Sequence, residues 1–237
     1  MRKTAIFLLC LIFSTNSFSQ DYYDSDDGSL FVTIMSYLFG YVIIGNYSAE
    51  DHLQNLYTPY PYFDGNSGNY TDSEYKRKNC ARFSFENGFY LPLTQNAYAN
   101  RLKGKVNFRH IGFQGDWLQM RDFSENESLA LFNLSFCYDR LRFQQFNAGW
   151  NMGANFAGAS VNKFGFSIGM DAEAFLFNPI SIYASAKWSW INYEPLHQYE
   201  IRAKLYKKRY FFSSGFESIR VATSRYDYIA VGGGVYF

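Results

Sequence analysis

From Arg82 to the C-terminus, apolar and polar residues change places at almost every step. Phe83, Phe85 and Phe89 oppose Arg82, Ser84, Glu86 and Gly88, and Phe132, Leu134, Phe136 and Tyr138 oppose Asn133, Ser135 and Asp139. Phe146, Ala148, Trp150 and Met152 alternate with Asn147, Gly149, Asn151 and Gly153. Phe164, Phe166, Ile168 and Met170 alternate with Gly165, Ser167, Gly169 and Asp171, and Ala172 and Ala174 flank Glu173. Later come Ile182, Ala184, Ala186, Trp188 and Trp190 against Ser181, Ser185, Lys187 and Ser189, then Ile201, Ala203 and Leu205 against Arg202, Lys204 and Tyr206. A strand through Tyr210, Phe212, Phe216 and Glu217 precedes the last one, where Ile229, Val231, Val235 and Phe237 share a face. Successive side chains of a strand point to opposite faces, so each segment predicts a strand with one apolar and one small or polar face.

Two segments need separate treatment. In residues 103–120 the apolar parity changes near Arg109 and His110, which a β-bulge would explain. Residues 29–45 are apolar but fall short of the roughly 20 residues of a spanning helix. They are read first as a strand and second as a short membrane-associated helix.

Short links at Arg140-Leu141-Arg142, Asn178-Pro179 and Lys207-Lys208 alternate with longer ones around residues 154–163, 193–198 and 218–225. This is the pattern of an antiparallel up-and-down barrel with short turns at one end. Counting back from Phe237 with both ends of the barrel on one side gives about ten strands. In that count residues 29–45 form the first strand and residues 46–79 the longest external loop. Eight strands plus an N-terminal helical segment is the alternative.

The two ends of the chain fit that reading. Arg2 and Lys3 precede an apolar run and a small-residue site at Ser17-Phe18-Ser19, which marks residues 1–19 as a secretory signal peptide. Leu9 is too bulky for a lipobox before Cys10. Residues 20–28 are an acidic segment too polar to bury itself. At the other end, Gly232, Val235 and Phe237 resemble the Gly-x-x-apolar-x-aromatic ending of bacterial outer-membrane β-barrel proteins. The resemblance is to a class, that of small porin-like and OmpA- or OmpX-like barrels. It implies a Gram-negative outer-membrane location, contact with lipid and lipopolysaccharide, and recognition of the last strand by the barrel assembly machinery.

Aromatic residues make up 21% of the chain while the mean hydropathy is only −0.26. A transmembrane barrel reconciles the two, since only alternate residues face lipid and aromatic girdles line both interfaces. A secreted β-sandwich also alternates, but it would turn runs such as Phe164, Phe166, Ile168 and Met170 inward. Removing Arg2 and Lys3 leaves 20 basic against 21 acidic residues, near −1, so no nucleic-acid partner is implied.

The inward faces would carry Arg82, Glu86, Asp139, Asp171, Glu173, Lys187, Arg202, Lys204 and Glu217. Two arrangements follow: a salt-bridged interior, preferred because barrels near eight strands are filled by side chains, or a narrow aqueous passage. Asp171 and Glu173 lie one strand from Lys187, and Arg202 and Lys204 one strand further, which favours cross-strand pairs, Glu173 with Lys187 among them. Lys76, Arg77 and Lys78 could meet lipid phosphates. Lys207, Lys208 and Arg209 read as a solvated edge. Cys80 and Cys137 are read as free thiols first and as a bridge second, which would need Cα atoms within about 7 Å.

Catalysis has little to build on. His52 and His197 fall in expected loops near Asp51, Asp64 and Glu194, but no His-Glu-x-x-His or spaced Cys/His motif occurs after the signal peptide. No catalytic residue, metal or cofactor is assigned. The expected role is that of a non-enzymatic barrel for membrane integrity, surface contact or limited small-solute passage. Membership of a larger outer-membrane assembly, through an outer-membrane protein partner, is the alternative, and a membrane-embedded hydrolase the third.

Overall fold

The computed structural model describes residues 32–33, 36–46, 48–71, 81–93, 96–109, 111–122, 127–158 and 161–237. The expected signal peptide and acidic segment, and Lys76, Arg77, Lys78, Cys80 and His110, lie outside them. The chain divides into two units, 1–44 and 45–237. In the first, Leu38–Ile44 is a π-helical stretch rather than the expected strand. Its apolar residues are consecutive instead of alternating, a pattern that does not separate helix from buried strand. Among the described residues no helix is long and apolar enough to cross a membrane.

The second unit contains a two-stranded ladder, β1 (Leu56–Tyr57) with β2 (Tyr70–Thr71), and ten long strands. These are β3 (Arg82–Pro92), β4 (Ala97–Asn107), β5 (Ile111–Asp122), β6 (Glu127–Arg142) and β7 (Phe146–Ala157). They continue with β8 (Lys163–Phe177), β9 (Ile180–Ile191), β10 (Glu194–Lys207), β11 (Tyr210–Val221) and β12 (Ser224–Tyr236). Each pairs antiparallel with its neighbours in sequence, and β12 pairs with β3 to close the barrel.

The strand number is ten, but its composition differs from the sequence reading at two places. The barrel begins at Arg82, so residues 29–45 supply none of its strands. Residues 103–120 are instead parts of β4 and β5, joined by a tight hairpin in which the Phe108 N–H donates to the Ile111 carbonyl at 2.7 Å. An odd-numbered hairpin link and a bulge both change the parity of the apolar positions, which is why one was read as the other. The register irregularities fall elsewhere, at Asp139/Leu141 in β6 and Phe175/Phe177 in β8.

Two links read as long are also short. β9 and β10 are joined by Asn192 and Tyr193, and β11 and β12 by Ala222 and Thr223. Asn192, Tyr193 and Ala222 have positive φ, of 51°, 66° and 51°, as tight hairpins require. The polar residues that looked like loop are rim positions of the ladder, His197 opposite Trp188 and Arg220 opposite Arg225.

The barrel is apolar outside and polar within. Phe83, Phe89, Phe113, Trp117, Phe132, Met170, Ile201 and Phe212 are exposed, whereas Arg101, Asp116, Glu173, Arg202 and Glu217 are buried. A closed ladder satisfies every strand's backbone groups internally and turns its apolar face outward, which only a bilayer stabilises.

Candidate functional site in the lumen

The bore has three layers. At the mouth bounded by the β3–β4, β5–β6 and β7–β8 links, a single buried apolar cluster is drawn from nine strands. Tyr90, Leu118, Leu131, Ile191, Leu196, Ile219 and Tyr228 are its bulkier members. These residues continue the inward parity of the charged positions. Sequence alternation missed them because strand ends that are apolar on both faces look like ordinary lipid-facing rims.

A belt of charges crosses the middle. Arg101 reaches Glu217 at 2.6 Å and Asp116 at 3.2 Å. Arg202 pairs with Glu86 at 2.6 Å, with Glu217 at 3.4 Å and with Glu200. Lys103 meets Glu200 at 3.5 Å, and Lys187 meets Asp116 at 3.5 Å. Tyr90 Oη accepts from both Arg101 and Arg202. Glu217 is 0% exposed and shared between two guanidiniums, the geometry that offsets desolvation of a buried carboxylate. The opposite inner wall is made of small residues and amides. There Gly149, Gly153 and Gly169 stand beside Asn133, Asn151, Asn155 and Ser167, leaving room for the long side chains that cross from β4 and β10.

The other mouth is filled by residues 45–71. This segment joins no two barrel strands. It folds across the end that carries the β4–β5, β6–β7, β8–β9 and β10–β11 turns. The Tyr57 and Tyr70 hydroxyls both donate to Asp139 Oδ2, Tyr70 at 2.5 Å. Arg82 donates to the Thr58 carbonyl at 3.3 Å and to Asn69 Oδ1 at 3.2 Å, and its guanidinium stands 4.5 Å from the centre of the Tyr57 ring. Arg142, 0% exposed, donates to the Leu53 carbonyl at 3.0 Å and lies over Tyr70. Tyr62 enters an aromatic cluster with Phe175, Tyr206, Phe211 and Tyr236 and donates to the Ile180 carbonyl at 2.5 Å. Burial pushes the Tyr62 hydroxyl up to about 12, keeping it a donor. Gly68 fits where no other residue would, because a Cβ there would stand 2.3 Å from the Phe175 ring. At the rim, Arg140 holds Glu50 through two bonds of 2.8 and 3.0 Å.

All nine charges singled out in the sequence face this interior. Arg82, Glu86, Asp139, Asp171, Glu173 and Lys204 line one cavity of about 70 Å³ between plug and belt, and Asp171, Lys187 and Glu217 line a smaller one of about 20 Å³. Arg202 bridges Glu86, Glu200 and Glu217. The expected Glu173–Lys187 pair does not form. In the ladder Glu173 stands opposite Tyr183 and Lys187 opposite Gly169, so strand stagger separates them, and Glu173 pairs with Lys204 at 3.3 Å. Arg101, Lys103, Lys105, Asp116, Arg142 and Glu200 belong to the same network and were not singled out. Reading 108–110 as a hairpin would have revealed Arg101, Lys103 and Lys105 on one face.

Gly232 sits in the closing strand facing inward, while Val235 shares the outward face of Ile229 and Val231. Phe237 continues the seam, with its N–H donating to the Phe83 carbonyl at 2.8 Å. Cys137 is a buried free thiol. The described histidines are not in loops between barrel strands. His52 stacks on Phe143 at 4.5 Å beside Glu50, and His197 belongs to β10 on the face of Tyr199 and Ile201. Asp64 accepts from the Asn66 and Ser67 backbone within the plug. Among the described residues no group of three metal-ligating side chains converges.

Fold and interior together define a ten-stranded transmembrane β-barrel with an occupied lumen. No protein-family model matches the chain, and no curated protein matches its sequence. Among solved structures the chain is similar to the KdgM porin, with 11% identity and a TM-score of 0.39 over 65% of this chain and 99% of that one. It is also similar to the COG4313 outer membrane channel from Pseudomonas putida F1, at 6% identity and TM-score 0.44 over 70% and 99% of the two chains. Neisserial surface protein A gives 12% identity and TM-score 0.31 over 68% and 100%.

Proposed function

We propose that this chain is a non-enzymatic barrel of the Gram-negative outer membrane whose bore is shut at rest, serving membrane integrity and surface contact rather than free diffusion of solutes. The observation that carries this reading is the lumen, filled in series by the apolar cluster, the ion-pair belt and the plug. The plugged mouth, where every link is two or three residues long and both ends of the barrel lie, faces the periplasm; the other mouth carries the longer links as well as two short ones. Contact of Lys76, Arg77 and Lys78 with lipid phosphates belongs to the same reading. Gly232, Val235 and Phe237 form the ending read by the assembly machinery. Planar-bilayer recordings of the purified chain test the proposal. No steady conductance is expected, and a large, stable open level would overturn it.

A second reading, membership of a larger outer-membrane assembly, is favoured by the separate first unit, where Val32 and Tyr37 are exposed. A stoichiometric partner recovered in mild detergent, and lost on removing residues 29–44, would select it.

A further inference from the structure

The cavity between plug and belt holds two charges that the network leaves over. Its other ionic groups are paired: Glu86 with Arg202, Lys103 with Glu200, Lys105 with Asp139, and Glu173 with Lys204. Arg82 and Asp171 remain. Among the described residues no carboxylate lies within ion-pair distance of Arg82, whose side chain bonds only neutral oxygens of the plug, Thr58 O and Asn69 Oδ1. Arg82 is 95% buried (5% exposed), and its Nε has no hydrogen-bond partner. Asp171 accepts one long bond from Asn151, at 3.4 Å, and no cation stands within ion-pair distance. The two residues lie on β3 and β8, five strands apart whichever way the ring is followed, so they face one another across the bore. A buried charge without a counter-ion is costly, and a cavity of about 70 Å³ has room for more than a single water.

We propose that this cavity binds a small zwitterion, an amino acid in the broad sense, whose carboxylate is received by Arg82 and whose ammonium is received by Asp171. One such molecule would neutralise both leftover charges at once, which a simple anion or cation would not. Because the apolar cluster seals the far mouth, the ligand would arrive and leave on the plug side, making the lumen a blind pocket with a lid.

Isothermal titration calorimetry on the full chain in detergent micelles tests this, with glycine and γ-aminobutyrate as probes and acetate and methylammonium as single-charge controls. At least one amino acid should bind, and each control should bind more weakly by about tenfold or more, the worth of one charge-assisted hydrogen bond. Arg82→Gln and Asp171→Asn should each weaken the amino acid by a similar factor, while Arg82→Lys retains most of the affinity. Heat-modifiable migration verifies that each variant is folded, and if Arg82→Gln does not fold, Asp171→Asn alone decides. Acetate binding as tightly as the amino acids, no binding by any probe, or affinities untouched by Asp171→Asn would each overturn the proposal.

Discussion

At one mouth the bore is closed by the wall's own side chains, Leu118, Ile219 and Tyr228 among them, and at the other by a segment that belongs to no barrel strand. The first closure is made of dispersion and apolar burial, contributed by nine strands at once. It cannot open unless the barrel itself deforms. The second is made chiefly of directional polar contacts, the Tyr57 and Tyr70 bonds to Asp139 and the oxygens offered to Arg82 and Arg142. Each of those contacts can be exchanged for water or ligand, so the plugged mouth is the one at which the lumen can communicate with solvent.

The largest expected effect of breaking this asymmetry is in solvent access. Cys137 faces inward between Asp139 and Ser135 and is buried. In a Cys80→Ser background, a polar thiol reagent should leave Cys137 untouched in the intact protein and modify it fully once residues 46–71 are deleted. Leu118→Ala should leave it protected. Labelling through the apolar mouth instead would reverse the assignment of fixed and movable ends.

A smaller effect tests whether the belt belongs to the wall. Removing Glu217 leaves Arg101 with Asp116 and Glu200, and Arg202 with Glu86 and Glu200, without touching the plug, and the lost charge-assisted bond to Arg101 should cost about 1.5–3 kcal/mol of barrel stability. Glu173 and Lys204 sharpen the point. Either replaced singly should destabilise more than both replaced together by apolar residues of similar size, read from urea unfolding in micelles. Equal, additive losses would mean that the pair is not shielded from water.

The smallest effect concerns the latch at the rim. Hydrogen bonds from Arg140 hold the Glu50 carboxyl below its ordinary value. A carboxyl depressed in the folded state contributes above its unfolded pKa, and the contribution is lost as the pH falls through the folded one. Plug amides should therefore exchange faster in acid, after correction for intrinsic rates, while barrel amides do not. Glu50→Gln should abolish that pH dependence.

The same division governs what could be read from the chain. The alternation of Phe132 to Asp139 or Ile201 to Tyr206 specifies a half-buried strand directly, because one face meets lipid and the other the lumen. The hairpin at residues 108–110 was hidden because it shifts parity as a bulge does. The plug was hidden for another reason. Its Tyr, Asn, Ser and Gly content is that of any exposed loop, and only the partners Asp139, Arg82 and Arg142, far away in sequence, distinguish an inserted segment from a solvated one. The pairing of Glu173 with Lys204 rather than Lys187 depends on strand stagger, which adjacency in sequence does not encode.

The belt has a mechanical consequence at the seam where β12 meets β3. Arg202 on β10 grips Glu86 on β3, and Arg101 on β4 grips Glu217 on β11, both at 2.6 Å. Each bond reaches over the join from inside, spanning the strands on either side of it. The first and last strands are thus clasped by side chains as well as stitched by backbone, and any sideways unzipping of the wall would have to release both clasps at once.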